Sequence, residues 1–81
     1  MTKDKLKLIF SSAERLKSQK GKVMDSRFEA EKLFLYGKDG YQTHVSVKEY
    51  KVEKEVKLSG ETYPELLMIR SNNNTHYFAR V

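Results

Sequence analysis

The 81-residue sequence predicts an α+β fold in one domain, with one N-terminal amphipathic helix packed on a four- to five-stranded antiparallel meander sheet. Three observations predict it. Apolar residues near the start recur at three- and four-residue spacing, the period of a helix face. From Tyr41 onward apolar and polar residues alternate instead, the period of a half-buried strand. Clusters of Gly, Ser and Asn interrupt the alternating stretch and read as tight turns.

The helix is expected over 3–18, with Leu6, Ile9, Phe10, Ala13 and Leu16 as its apolar stripe. Thr2 can cap it, and Asp4 sits in the first turn, where the helix dipole favours an anion. Ser18-Gln19-Lys20-Gly21-Lys22 has the polar, Gly-containing character of a helix end. Residues 26–36 support two readings. Ser26-Arg27-Phe28-Glu29 fits a capping box, and Gly37 can serve as a C-cap. A helix there would spread Phe28, Leu33, Phe34, Leu35 and Tyr36 around its whole circumference, whereas a strand puts Phe28, Ala30, Phe34 and Tyr36 on one face. The strand, over 27–36, is preferred, and Gly37-Lys38-Asp39-Gly40 then reads as a hairpin loop.

Strands follow at 41–48 and 50–58. Their alternation changes phase at Lys48-Glu49, which requires either a bulge in one long strand or a tight turn between two. Ser59-Gly60-Glu61 is a turn, and 65–70 is a short apolar strand entered after Pro64, the only proline. Ser71-Asn72-Asn73-Asn74 is a polar loop tolerant of left-handed backbone. The last strand, 75–81, carries Tyr77, Ala79 and Val81 on one face and His76, Phe78 and Arg80 on the other. A single helix covers one sheet face, so the other stays open.

Composition narrows the chemistry. There is no Cys, which removes disulfides and thiolate metal sites. No apolar run approaches the ~20 residues of a membrane-spanning helix, and Met1-Thr2-Lys3-Asp4-Lys5 leads into no long apolar segment, so neither a membrane anchor nor a signal peptide is expected. A cytoplasmic setting follows as the default. Lys outnumbers Arg twelve to four, a composition more typical of AT-rich genomes, and a bacterial or phage source is expected. The net charge of +5 is concentrated: residues 1–22 hold seven basic groups against Asp4 and Glu14, while residues 23–81 hold nine of each sign.

No strong catalytic motif stands out. His44 and His76 lie on different expected strands with no His-x-His or His-x₃-His spacing, so surface histidines are the simpler reading and no metal site is expected. The carboxylates mostly alternate with Lys, as in Lys51-Val52-Glu53-Lys54-Glu55-Val56-Lys57, which suits a solvated strand protected from edge pairing. Gly37-Lys38-Asp39-Gly40 has no helix behind it and cradles no phosphate. The C-terminal hairpin gathers Arg70, His76, Tyr77 and Arg80, the groups a metal-independent ribonuclease would use, although ordinary hairpin decoration is the simpler explanation. Lys7 and Arg15 point outward from the expected helix, while Lys3, Lys5 and Lys17 flank its stripe, so the cations surround the helix instead of lining one phosphate track. Phe78 is expected on the more polar sheet face beside His76, Arg80 and Arg70, while Tyr36, Tyr41, Tyr50 and Tyr77 are expected in the core or at its edge.

Lys7, Arg15, Arg70, His76, Phe78 and Arg80 are therefore the candidate binding residues, with no catalytic residue, metal or small-molecule cofactor implied. The leading expectation is a non-enzymatic binding or regulatory module that contacts a protein partner, or a second copy of itself, through an open sheet face or a free strand edge. The alternatives are a nucleic-acid binder using the basic N-terminal segment, and the ribonuclease.

Overall fold

The computed structural model describes residues 3–81. Among them seven strands form one antiparallel sheet: β1 (Lys3–Ser11), β2 (Val23–Glu29), β3 (Lys32–Tyr36), β4 (Gln42–Ser46), β5 (Glu49–Leu58), β6 (Glu61–Arg70) and β7 (Thr75–Arg80). The spatial order is β4-β3-β2-β1-β7-β6-β5. Among the described residues helical backbone is confined to two short 3₁₀ segments, Glu14–Gln19 and Lys38–Gly40. The expected α+β architecture is thus overturned: no helix covers 3–18, and the sheet has seven strands, not four or five.

The error at the N-terminus has a local cause. Lys5-Leu6-Lys7-Leu8 alternates, and in β1 Leu6 and Leu8 are buried while Lys5 and Lys7 are exposed. The register against β7 then shifts between Leu8 and Phe10, so that Ser11 turns inward and Phe10 outward. An alternation broken by a bulge leaves apolar residues three and four apart, which imitates a helix stripe. Ala13 and Leu16, the rest of that stripe, are buried from the connection that follows β1.

Residues 27–36 are a hairpin and not one strand. Glu29 pairs with Lys32, and the two residues between them, Ala30 (φ 54°) and Glu31 (φ 60°), are both left-handed. This is the backbone of a two-residue hairpin turn normally signalled by Asn-Gly. The phase change at Lys48-Glu49 is a turn: β4 ends at Ser46 and β5 begins at Glu49. β6 begins at Glu61, ahead of the proline. Pro64 falls opposite Glu55 (φ 55°), at the one step where the β5–β6 ladder is interrupted.

The sheet curls strongly. Its edge strands, β4 and β5, are not paired to each other, yet only Val47 and Lys48 join them. Three peptide links reach at most about 11 Å, so the two edges must meet there. Val47 N–H donates to Glu31 O (2.9 Å) and Lys48 N–H to Arg70 O (2.7 Å), which ties the junction to both halves of the sheet. The result is a barrel closed by the β1–β7 pair and incompletely closed between β4 and β5. The inner face is one apolar cluster: Leu6 and Leu8 from β1, Met24 from β2, Leu33 and Leu35 from β3, Val45 from β4, Leu67 and Ile69 from β6, and Phe78 from β7. Leu16 and Ala13 join it from the connection. β6 is also buried on its other face, where Leu66 and Met68 lie and Met68 opposes Tyr77; the Tyr77 and Phe10 rings are 6.2 Å apart. No helix among the described residues is long and apolar enough to cross a membrane.

Candidate functional site

Curling the sheet without closing it leaves a cleft of about 250 Å³. Leu6, Leu33 and Leu67 supply apolar surface from β1, β3 and β6. Phe28 of β2 and Tyr50 of β5 complete it, with ring centroids 6.3 Å apart in an edge-to-face arrangement. Ser26 and Arg80 are its polar lining groups. Phe28 is 40%, Tyr50 55% and Val52 38% exposed. Val52 lies two residues beyond Tyr50, on the same strand face, opposite Leu67. The cleft is therefore bordered by two large aromatic side chains in contact with solvent, Phe28 and Tyr50. Beside it runs β5, which pairs with β6 on one side only, so its other edge presents backbone N–H and C=O groups without a strand partner.

The six residues singled out from the sequence fall in different places. Arg80 lines the cleft and has no ion-pair partner among the described residues. Phe78 is wholly buried in the core and is no exposed stacking residue. Its presence on the inner face removes the expected polar face of the last strand. Lys7 is exposed on the outer face of β1. Arg70 pairs with Glu49 across the start of β5 (3.2 Å). It sits on the sheet face opposite His76, because Arg70 opposes Thr75 and Ile69 opposes His76. Arg15 and His76 do come together, lining one smaller pocket with Asn72, Asn73 and Asn74. The expected free edge at 75–81 does not exist either, since β7 lies between β1 and β6.

His76 is 1% exposed. Its Nδ1 lies 2.8 Å from Ser11 Oγ, which also accepts the Ala13 N–H (3.0 Å). Burial, and then the positive charge of Arg15, lower its pKa from 6.5 to about 4, so the ring is neutral at physiological pH. Burial, followed by the charge of Glu53 and a hydrogen bond to it, raises the Tyr77 pKa. The Tyr77 hydroxyl donates to Glu53 Oε1 at 3.5 Å. Among the described residues no three His, Asp or Glu side chains gather in a manner suited to a metal ion.

The basic N-terminal charges also take a new arrangement. Lys5 and Lys7 share the outer face of β1, opposite Leu6 and Leu8. Lys5 opposes Asp25 of β2. Next to it on that outer face is a cross-strand row, Arg27–Phe34–His44. The Arg27 guanidinium carbon lies 5.6 Å from the centre of the Phe34 ring, and the Phe34 and His44 rings are 5.7 Å apart. Arg27 is also ion-paired with Glu29 (2.8 Å).

Phe28, Tyr50 and Val52 are surface groups that the sequence does not single out, and Tyr50 is expected from it in or at the edge of the core. The alternation of Tyr50 and Val52 is visible in the sequence, but whether anything covers them depends on how the sheet closes, which no local pattern encodes. No protein-family model matches the chain, and no curated protein or solved structure matches it either.

Proposed function

We propose that the protein is a non-enzymatic binding module that takes up an extended segment of a partner protein along the unpaired edge of β5. The observation that carries this reading is the pairing of the exposed Phe28 and Tyr50 rings at the apolar cleft, beside that edge. An added strand would satisfy the free backbone groups of β5, and its alternate side chains would enter the cleft. Arg80, free of any carboxylate partner among the described residues, favours a segment carrying an acidic group near its apolar residues.

The test is selection of random extended peptides displayed against the folded protein, followed by calorimetric titration of those recovered. Recovered peptides should alternate apolar residues and include an acidic one. Tyr50→Ser and Arg80→Gln should each weaken binding by about tenfold, the effect of some 1.4 kcal/mol. Failure to recover any peptide that distinguishes the wild type from Tyr50→Ser sinks the reading.

A specific observation favours a second reading, single-stranded nucleic acid on the outer face of β1–β3. Lys5 and Lys7 lie on one strand face beside the Arg27–Phe34–His44 row, and basic groups next to ring faces suit phosphates and stacked bases. Anisotropy of a labelled oligonucleotide should then fall steeply with salt and drop further in a Lys5→Ala, Lys7→Ala double variant. No binding at low salt would end this reading.

A further inference from the structure

We infer that the pocket between the Glu14–Gln19 segment, β4 and the β6–β7 loop is an oxyanion site, in which Arg15 and His76 take a small phosphate or carboxylate group. The pocket is an open depression of about 160 Å³. Its polar lining includes Arg15, Ser46, Asn72, Asn73, Asn74 and His76, and no Asp or Glu.

Two independent features point to an anion. The first is Arg15. Its guanidinium is held on β4 by two neutral acceptors, Thr43 Oγ1 and the His44 carbonyl oxygen (2.8 Å). Among the described residues it has no carboxylate partner. The charge is thus oriented but uncompensated, and a guanidinium fork suits a planar or tetrahedral oxyanion.

The second is His76. Its ring is almost wholly buried, and Nε2 has no hydrogen-bond partner. Ser11 Oγ already accepts the Ala13 N–H, so its own hydrogen is available to Nδ1. In that tautomer Nε2 carries a hydrogen, and a buried N–H without an acceptor destabilises the fold. An oxyanion accepts that hydrogen and neutralises Arg15 together. Hydrogen bonds brace the loop that lines the pocket. Ser71 N–H donates to Asn74 O (2.9 Å), Ser12 Oγ donates to Asn74 Oδ1 (3.0 Å), and Thr75 N–H donates to Ser12 Oγ (3.0 Å). The electrostatic action of Arg15 on the His76 ring agrees with their closeness. The site is separate from the cleft and does not depend on it.

The test titrates the full chain at neutral pH with sodium phosphate, sodium acetate or adenosine 5′-monophosphate, against sodium chloride at equal ionic strength. It follows the His76 ring nitrogens and the Asn72–Asn74 amides by NMR. At least one oxyanion should give saturable shifts confined to this pocket. Tightest saturation by phosphate assigns a free inorganic anion, by the nucleotide a phosphate ester, and by acetate a carboxylate. Arg15→Gln should weaken the apparent affinity about tenfold, with the amide spectrum in chloride unchanged outside the residues around Arg15, and Arg15→Lys should recover part of the loss. Shifts that never saturate with any of the three, or that persist undiminished in Arg15→Gln, overturn the proposal.

Discussion

His76 combines deep burial with a hydrogen-bond partner on only one ring nitrogen, and both facts bear on stability. The unfolded chain carries this histidine near its ordinary pKa of 6.5, and the folded chain at about 4. Between those values the unfolded state binds more protons, so stability rises with pH there. The contribution is complete above about pH 6.5 and is lost as pH falls through about 4. It amounts to a loss on the order of 2–3 kcal/mol between pH 7 and pH 4.5. Urea unfolding at these two pH values should show a larger drop for wild type than for His76→Gln, and equal drops would remove His76 as the cause. Ser11→Ala takes an acceptor from the Ala13 N–H and a partner from Nδ1, both buried. It should cost about 1–3 kcal/mol by urea unfolding; a loss below about 0.5 kcal/mol would mean that water replaces the hydroxyl. From the sequence alone, His76 belongs on a solvated face. The alternation of 75–81 is legible, but both of its faces are mixed, and nothing local says which of them meets the core.

At the scale of single elements, the β2–β3 turn shows a cost that sequence statistics conceal. Ala30 and Glu31 are both left-handed without being Gly or Asn, and such a conformation costs roughly 1–2 kcal/mol per ordinary residue. Replacing the pair by Asn-Gly should raise stability by about 1 kcal/mol, read as a higher thermal midpoint. A lower midpoint would mean that these side chains make contacts that outweigh the relief. The same residues explain why 27–36 reads as one strand: the turn carries none of the residue types that announce a turn. β1 is illegible for the complementary reason. Lys5-Leu6-Lys7-Leu8 has the strand period, but the bulge before Phe10 restores helical spacing across the longer window. By contrast β5 and β7 carry their strand pattern openly in the sequence, since each keeps a constant register against β6.

For the whole molecule, 81 residues imply a net stability of only about 4–12 kcal/mol. A single inward cluster holds six of the seven strands, and β5 adds no buried residue to it. Phe78→Ala should cost about 3–5 kcal/mol and leave a chain that is partly unfolded at room temperature, visible as lost near-ultraviolet circular dichroism. An unaltered spectrum would argue that the core is not centred there. The cleft belongs to this scale too. It is made by β1, β2, β3, β5, β6 and β7 together. The sequence shows every one of its side chains yet not their convergence, because curling is a property of the sheet and not of any strand.

The junction at Val47–Lys48 has one more consequence, for folding kinetics. The closing β1–β7 pair joins residues from opposite ends of the sequence, such as Leu6 with Arg80, and must form across most of the chain. If a short hairpin loop linked the far end of β7 to the start of β1 and the chain were cut between Val47 and Lys48, the new order would be β5-β6-β7-β1-β2-β3-β4. Every hydrogen-bonded neighbour would then be consecutive in sequence. Such a circular permutant should refold faster than the parent, because local pairing lowers contact order. Stopped-flow refolding of the two chains would measure how much of the folding barrier lies in bringing β1 to β7.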